Sequence, residues 1–183
     1  SPGVSTGAVL DALAEAEIPA AFFVTGSQIA ANGDLVRRMA GEKHAIGISG
    51  FGAMDESFYA SGDAMLSELS RTNKVLDKVT KAKSRLVRTP GGSKAHLTDE
   101  LFRILETAGY QLWDWDVNIP AEDKASTFLS KAKSALGKAK NGSVIRMPAE
   151  SICLHGDTAG AVAMAAAVRH GLENAGVQIR SFA

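Results

Sequence analysis

Asp114 and Asp116 stand two residues apart in Trp113-Asp114-Trp115-Asp116-Val117, an alternation that on a strand sends each pair of side chains to its own face. Carboxylates on a buried face need cations or hydrogen-bond donors, because an unpaired buried charge is strongly destabilising. Arg146 is a candidate cation for either aspartate. Arg88 precedes Pro90 and Gly92 in Arg88-Thr89-Pro90-Gly91-Gly92, where a salt bridge or a cap on the following loop is its simplest duty. His155, in Cys153-Leu154-His155-Gly156-Asp157, reads as a polar loop residue at the start of a helix. The other three histidines are too scattered to suggest a metal site. His44 reads as a strand-start residue with a local partner, and His96 and His170 as surface residues near a helix N-terminus and on a helix.

The elements that must position these groups alternate. Val9, Leu10 and Leu13 recur at helical spacing after Ser5 and Thr6, which can cap a first turn, so a helix is expected over 5–16. The apolar run 21–25, rich in Phe and Val and ended by Gly26, reads as a buried strand. The same pattern predicts helices over 34–42, 61–81, 98–108, 124–140 and 158–174, and strands over 44–48, 85–88, 110–116, 142–147 and 176–182. Strands separated by helices of this length imply a parallel sheet covered by helices. Glycine-rich or polar turns fall where strands end, at Gly26-Ser27, 50–52, Gly91-Gly92 and Gly156-Asp157, and strand ends are where barrels of this kind carry their sites. The lysine-rich stretches 74–83 and 131–140 read as solvated helix faces.

With 183 residues, 45% of them apolar, the chain has the size and the apolar content of one domain with one core, spanning 1–183. Twenty basic residues balance twenty acidic ones, which gives no field to steer a polyanion, so nucleic acid is not an expected partner. Cys153 has no second cysteine to pair with and reads as a small buried side chain. No apolar run approaches the roughly 20 residues that a membrane span requires.

The block from Ser1-Pro-Gly-Val-Ser-Thr to Ile18-Pro-Ala-Ala-Phe-Phe-Val-Thr-Gly is followed by Asp34-Leu-Val-Arg-Arg-Met, His44-Ala-Ile-Gly and Arg88-Thr-Pro-Gly-Gly. In this order and spacing the chain resembles the NodB-homology domain of polysaccharide deacetylases, carbohydrate esterase family 4, over essentially its whole length. Trp113-Asp-Trp-Asp-Val is similar to the family's Trp-Asp-Val-Asp strand, and Gly142-Ser-Val-Ile-Arg-Met-Pro148 to its final strand. The resemblance implies an α/β fold, a distorted (β/α) barrel of about seven strands. The first of these would carry the family's Thr-Phe-Asp-Asp-Gly motif, which the sequence does not contain. An N-terminus that is processed or incomplete is therefore expected, with the barrel open at one side if that strand is absent.

Members of this family hold a divalent metal, typically zinc, with an aspartate and two histidines, because neutral imidazole binds zinc firmly and leaves a position open for water. At the positions that match the histidines this sequence has Ser49 and Ala53, and at the acid histidine it has Pro148. A serine hydroxyl is a poor zinc ligand, alanine has no donor and proline cannot titrate. The resemblance thus implies a pseudoenzyme with no metal, acting outside the cell or at its surface as a carbohydrate-binding or structural module. Its substrate-side residues would be Arg88, Pro90, Gly92, Asp114, Asp116 and Arg146, the last filling the former acetyl pocket beside an aspartate. Two alternatives stay open: an active metal-dependent deacetylase of chitin or peptidoglycan type with His155 recruited as acid, and a structural subunit of an extracellular assembly with protein partners. Phe51, Met54, Phe58 and Tyr59 would form either an apolar lip on the cleft or part of the core.

Overall fold

A computed structural model describes residues 2–3, 6–15, 19–52, 56–114, 117–118, 152–153, 166, 169–171, 173–174 and 176. Its residues group into two compact units, one of Ser1–Gly3 and Ile18–Asp114 with the last residue, the other of Val4–Glu17 and Trp115–Phe182.

The first unit is built on four parallel strands, β1 (Ala21–Val24), β2 (Ala45–Ile48), β3 (Leu86–Val87) and β4 (Gln111–Leu112), side by side in chain order. Phe23 lies opposite Gly47, Val24 opposite Ile48, Ile48 opposite Val87 and Val87 opposite Leu112. Because side chains alternate along a strand, Val24, Ile48 and Val87 share one face, and all three are fully buried. The helices are α2 (Gly26–Ala31), α3 (Gly33–Gly41), α4 (Gly62–Thr80), α5 (Ser93–His96) and α6 (Asp99–Thr107), with a single 3-10 turn at Glu56–Tyr59 before α4. Ile29, Val36, Met39, Met65, Leu69, Leu76 and Leu105 are their core contribution. Hydroxyl caps start α4 and α6: Ser61 accepts from the Ala64 N–H at 3.1 Å and Thr98 from the Leu101 N–H at 3.3 Å.

α4 ends at Lys81, whose left-handed conformation (φ 61°) turns the chain towards β3. Asn73 then clasps the turn, donating to the Ser84 carbonyl at 3.0 Å and accepting from the Ser84 N–H at 2.8 Å, all of it buried. Lys74, Lys78, Lys81 and Lys83 are all exposed, so the first lysine-rich stretch is a solvated face; the second lies outside the described residues.

In the second unit, α1 (Thr6–Glu15) buries Thr6, Val9, Leu10 and Leu13, and β5 (Val117–Asn118) pairs in parallel with β6 (Ile152–Cys153). Positions 166, 169–171 and 173–174 are helical, in keeping with the helix expected over 158–174, and His170 is exposed there. The helix of 124–140 and the strand of 142–147 lie outside the described residues, as do 177–182 of the last expected strand, whose first residue, Gly176, is a turn residue with φ 79°.

The structure corrects the sequence reading at four places. The segment after β1, expected to be a turn, is the helix α2, whose first turn is capped by Thr25. A further short helix, α5, stands between Gly92 and α6. The strand expected over 110–116 is shorter, Gln111–Leu112, and Ile152–Cys153, which lie between the expected elements, are strand β6.

Candidate functional site

Parallel strands end together, and the C-terminal ends of β1 to β4 bring Thr25, Ser49, Arg88 and Trp113 to one edge of the first unit. Backbone bonds carry the ladder past the last strand residues: Ser49 N–H to the Val24 carbonyl at 2.9 Å, Arg88 N–H to Ile48 at 3.0 Å and Trp113 N–H to Val87 at 2.8 Å. By alternation Ser49 and Arg88 project from the face opposite to Val24, Ile48 and Val87, the face that also carries Phe23 and Gly47. Contacts agree: the Arg88 guanidinium lies 4.1 Å from the centroid of the Phe23 ring. Gly47 leaves room for that ring, since a Cβ there would come within 2.3 Å of it.

The turn after β3 needs its glycines. Gly91 (φ 73°) and Gly92 (φ 88°) occupy left-handed backbone that side chains disfavour, and Pro90 and Gly92 are buried. Asp114 anchors the far side of this turn, its Oδ2 accepting from the Ser93 N–H at 2.7 Å and from the Ser93 hydroxyl at 2.5 Å. Arg88 Nη2 donates to the Asp114 carbonyl at 3.4 Å. Tyr59 donates its hydroxyl to the Pro90 carbonyl and stacks on His96, ring centroids 5.2 Å apart. Burial raises the Tyr59 pKa above the ordinary tyrosine value; the nearby Thr89 hydroxyl opposes the rise, and the Asp114 charge adds to it.

The loop 50–52 after β2 is held from several sides. Gly26 N–H donates to the Gly50 carbonyl at 3.4 Å and Ser27 N–H to the Phe51 carbonyl at 2.8 Å. Phe51 N–H donates to Glu68 at 2.9 Å, Arg71 lies 4.1 Å above its ring, and Gly26 leaves space for that ring where a Cβ would approach to 2.3 Å. Phe58 is buried core, whereas Phe51 and Tyr59 are half-buried on the surface of the loops.

Of the residues singled out in the sequence, Ser49, Arg88, Pro90, Gly92 and Asp114 come together at this edge. Ala53, Asp116, Arg146, Pro148 and His155 lie outside the described residues, as does the pairing expected of Arg146. Phe23, Ser93, Glu68 and the Tyr59–His96 stack escaped the sequence reading, because each acts through a neighbour distant in the chain and has no motif of its own. Among the described residues no three His, Cys, Asp or Glu side chains converge as metal ligands. The hydroxyl of Ser49 and the amide groups around it are not a donor set that fits zinc.

The fold is that of the NodB-like α/β deacetylases. Against a polysaccharide deacetylase of Bacillus cereus the structure superposes with a TM-score of 0.84 at 22% identity, covering 100% of this chain and 88% of that one. The model of the polysaccharide deacetylase family matches residues 1–113, and the chain belongs to that family. The model of the LamB/YcsF family matches residues 118–183.

YheN of Bacillus subtilis, named as a polysaccharide deacetylase, is 34% identical over 117 residues, 64% of this chain and 42% of that protein. The peptidoglycan-N-acetylglucosamine deacetylase of Bacillus cereus is 24% identical over 99% of this chain and 66% of its own length. A 5-oxoprolinase component from Kocuria rhizophila is 64% identical over 45 residues, 25% of this chain and 18% of that protein. The chain thus spans less than half of YheN, and its match to the oxoprolinase component covers under a fifth of that protein. A mutant of a CE4-family pseudoenzyme superposes with a TM-score of 0.74 at 17% identity, over 93% of this chain and 58% of that one, and a further mutant is described as having restored enzymatic activity. Among the described residues no helix is long and apolar enough to cross a membrane.

Proposed function

We propose that the chain is a non-catalytic member of its family, which holds an N-acetylated polysaccharide, or serves a structural part, outside the cell or at its surface. The observation that carries this reading is Ser49. It ends β2 on the face shared with Arg88, where the family aligns an imidazole, and its hydroxyl can neither grip zinc nor replace the lost basicity. The surrounding charges have structural work: Arg88 rests on Phe23 and Asp114 holds Ser93. What remains is a strand edge with a cation, hydroxyls and half-buried rings, groups suited to holding a sugar without cleaving it. The extracellular placement is supported by the peptidoglycan deacetylase among the relatives.

The purified chain should release no acetate from acetylated chito-oligosaccharides, with or without zinc, while being retained on the N-acetylated polymer. Zinc-dependent acetate release would establish the active deacetylase instead. Calorimetry gives an independent check, because a Ser49→His, Ala53→His variant should bind zinc more tightly than the native chain. Equal affinity would sink the proposal.

Residues 118–183 favour a second reading. Their match to LamB/YcsF supports a C-terminal stretch of that type, and the chain's 64% identity over 45 residues with a 5-oxoprolinase component supports recognition of a cyclic amide. Millimolar 5-oxoproline should then shift NMR signals of residues in 118–183, and unshifted spectra would reject it.

A further inference from the structure

His44 is buried, its side chain 3% exposed, and lies outside the edge that carries Ser49 and Arg88. Its Nδ1 accepts the N–H of Ala20 at 3.3 Å, just ahead of β1, and the Ala20 carbonyl in turn accepts the N–H of Ala45 at 2.9 Å. The backbone N–H of His44 donates to the Met39 carbonyl at 3.0 Å, which fixes the ring's position against the end of α3. A nitrogen that accepts a hydrogen bond carries no proton, so the bond to Ala20 selects the neutral imidazole with its proton on Nε2. Nε2 faces Glu42 Oε2 at 3.5 Å, too far for a good hydrogen bond, and the other oxygen of Glu42 is held by Arg38 at 2.6 Å.

We propose that His44 is a proton-operated latch on the start of β1: neutral, it fastens Ala20; charged, it releases Ala20 and turns to Glu42. The reason is a clash of donors. Protonation places a hydrogen on Nδ1, which then confronts the Ala20 N–H, while the same event turns the distant Glu42 contact into an attraction between opposite charges. Among the described residues the charged groups that face the ring are Glu42 and, through it, Arg38. Lys43 stands beside it in the chain, and β1 presents the uncharged ring of Phe22, its centroid 5.3 Å away. The bond lies just before the first paired residue of β1, so its loss frees the strand's beginning and leaves the buried pairing of Val24 with Ile48 intact.

The test is NMR on the intact chain. Nitrogen shifts of the His44 ring should show the proton on Nε2 in the neutral state. As the ring takes up its second proton, the protection factor of the Ala20 amide should fall about threefold to tenfold, the loss expected for one hydrogen bond, while that of the Ile48 amide holds. In His44→Asn the side-chain oxygen can accept the same N–H and does not titrate, so Ala20 protection should become independent of pH. A neutral ring protonated on Nδ1, an Ala20 protection factor flat across the titration, or equal losses at Ala20 and Ile48 would each overturn the latch. All three are read on the wild-type chain and do not depend on a variant folding.

Discussion

A carboxylate that the family resemblance assigns to a substrate cleft is, in this chain, the fastening of a loop. Asp114 collects two donors from Ser93, both bonds part-buried, and a hydrogen bond to a charged acceptor is worth about 1.5–3 kcal/mol. Asp114→Ala should therefore lower stability by about 3 kcal/mol in urea unfolding, the low end for two such bonds because Ser93 is half-buried and water can replace part of them, and Asp114→Asn by less, since its oxygen can still accept from Ser93. The same variant carries a second readout. The Asp114 charge adds to the upward shift of the Tyr59 pKa, so its removal should bring that pKa down in an alkaline absorbance titration. A raised tyrosine pKa means that the folded state keeps the proton longer than the unfolded chain. Its contribution is complete below the ordinary tyrosine value and is lost as pH rises through the folded one. Arg88, Pro90 and Gly92 were legible in the sequence because a turn of this kind has a local signature in proline and glycine. Ser93 was not legible, because a serine becomes a partner only when a strand from elsewhere delivers Asp114 to it.

Two glycines separate packing that can yield from packing that cannot. A Cβ at Gly47 would press on the Phe23 ring, which has Arg88 lying over it. A Cβ at Gly62 would meet the end methyl of Ile104 at 2.5 Å, a group free to change rotamer. Gly47→Ala should accordingly cost about 1–3 kcal/mol, the usual range for overpacking, whereas in Gly62→Ala the gain in helix propensity, up to about 1 kcal/mol, offsets the contact. Denaturation midpoints of the two variants check this, and similar losses in both would contradict it. The long elements were legible for the same reason that they are stable. α4 repeats its buried Met65, Leu69, Thr72 and Leu76 at helical spacing, and β1 and β2 are short apolar runs, each followed within two residues by a glycine. Six residues of α2, with one large buried side chain in Ile29, are too few to show a period. The four of α5 bury no side chain at all, and depend on Gly92 and Asp114 for their position.

At the scale of the whole chain, two units and two family matches meet near the same residues. The deacetylase family's match ends at 113 and the first unit at Asp114, and the LamB/YcsF match begins at 118 with the second unit resuming at Trp115. The motifs that carried the family resemblance most specifically, from Phe22 to Gly92, all lie in the first unit, which is why the fold class could be read from sequence. Gly142-Ser-Val-Ile-Arg-Met-Pro148 was aligned with the last deacetylase strand on weaker likeness, glycine and serine ahead of an apolar run, and that pattern belongs to many strands. The clasp of Asn73 on Ser84 has a practical corollary. It seals the path from α4 to β3 behind the exposed residues Lys81, Ala82 and Lys83, which form neither strand nor helix interior. Those three positions are consequently the natural graft point of the first unit, where a fluorophore or a foreign peptide can be attached at a distance in sequence from Ser49.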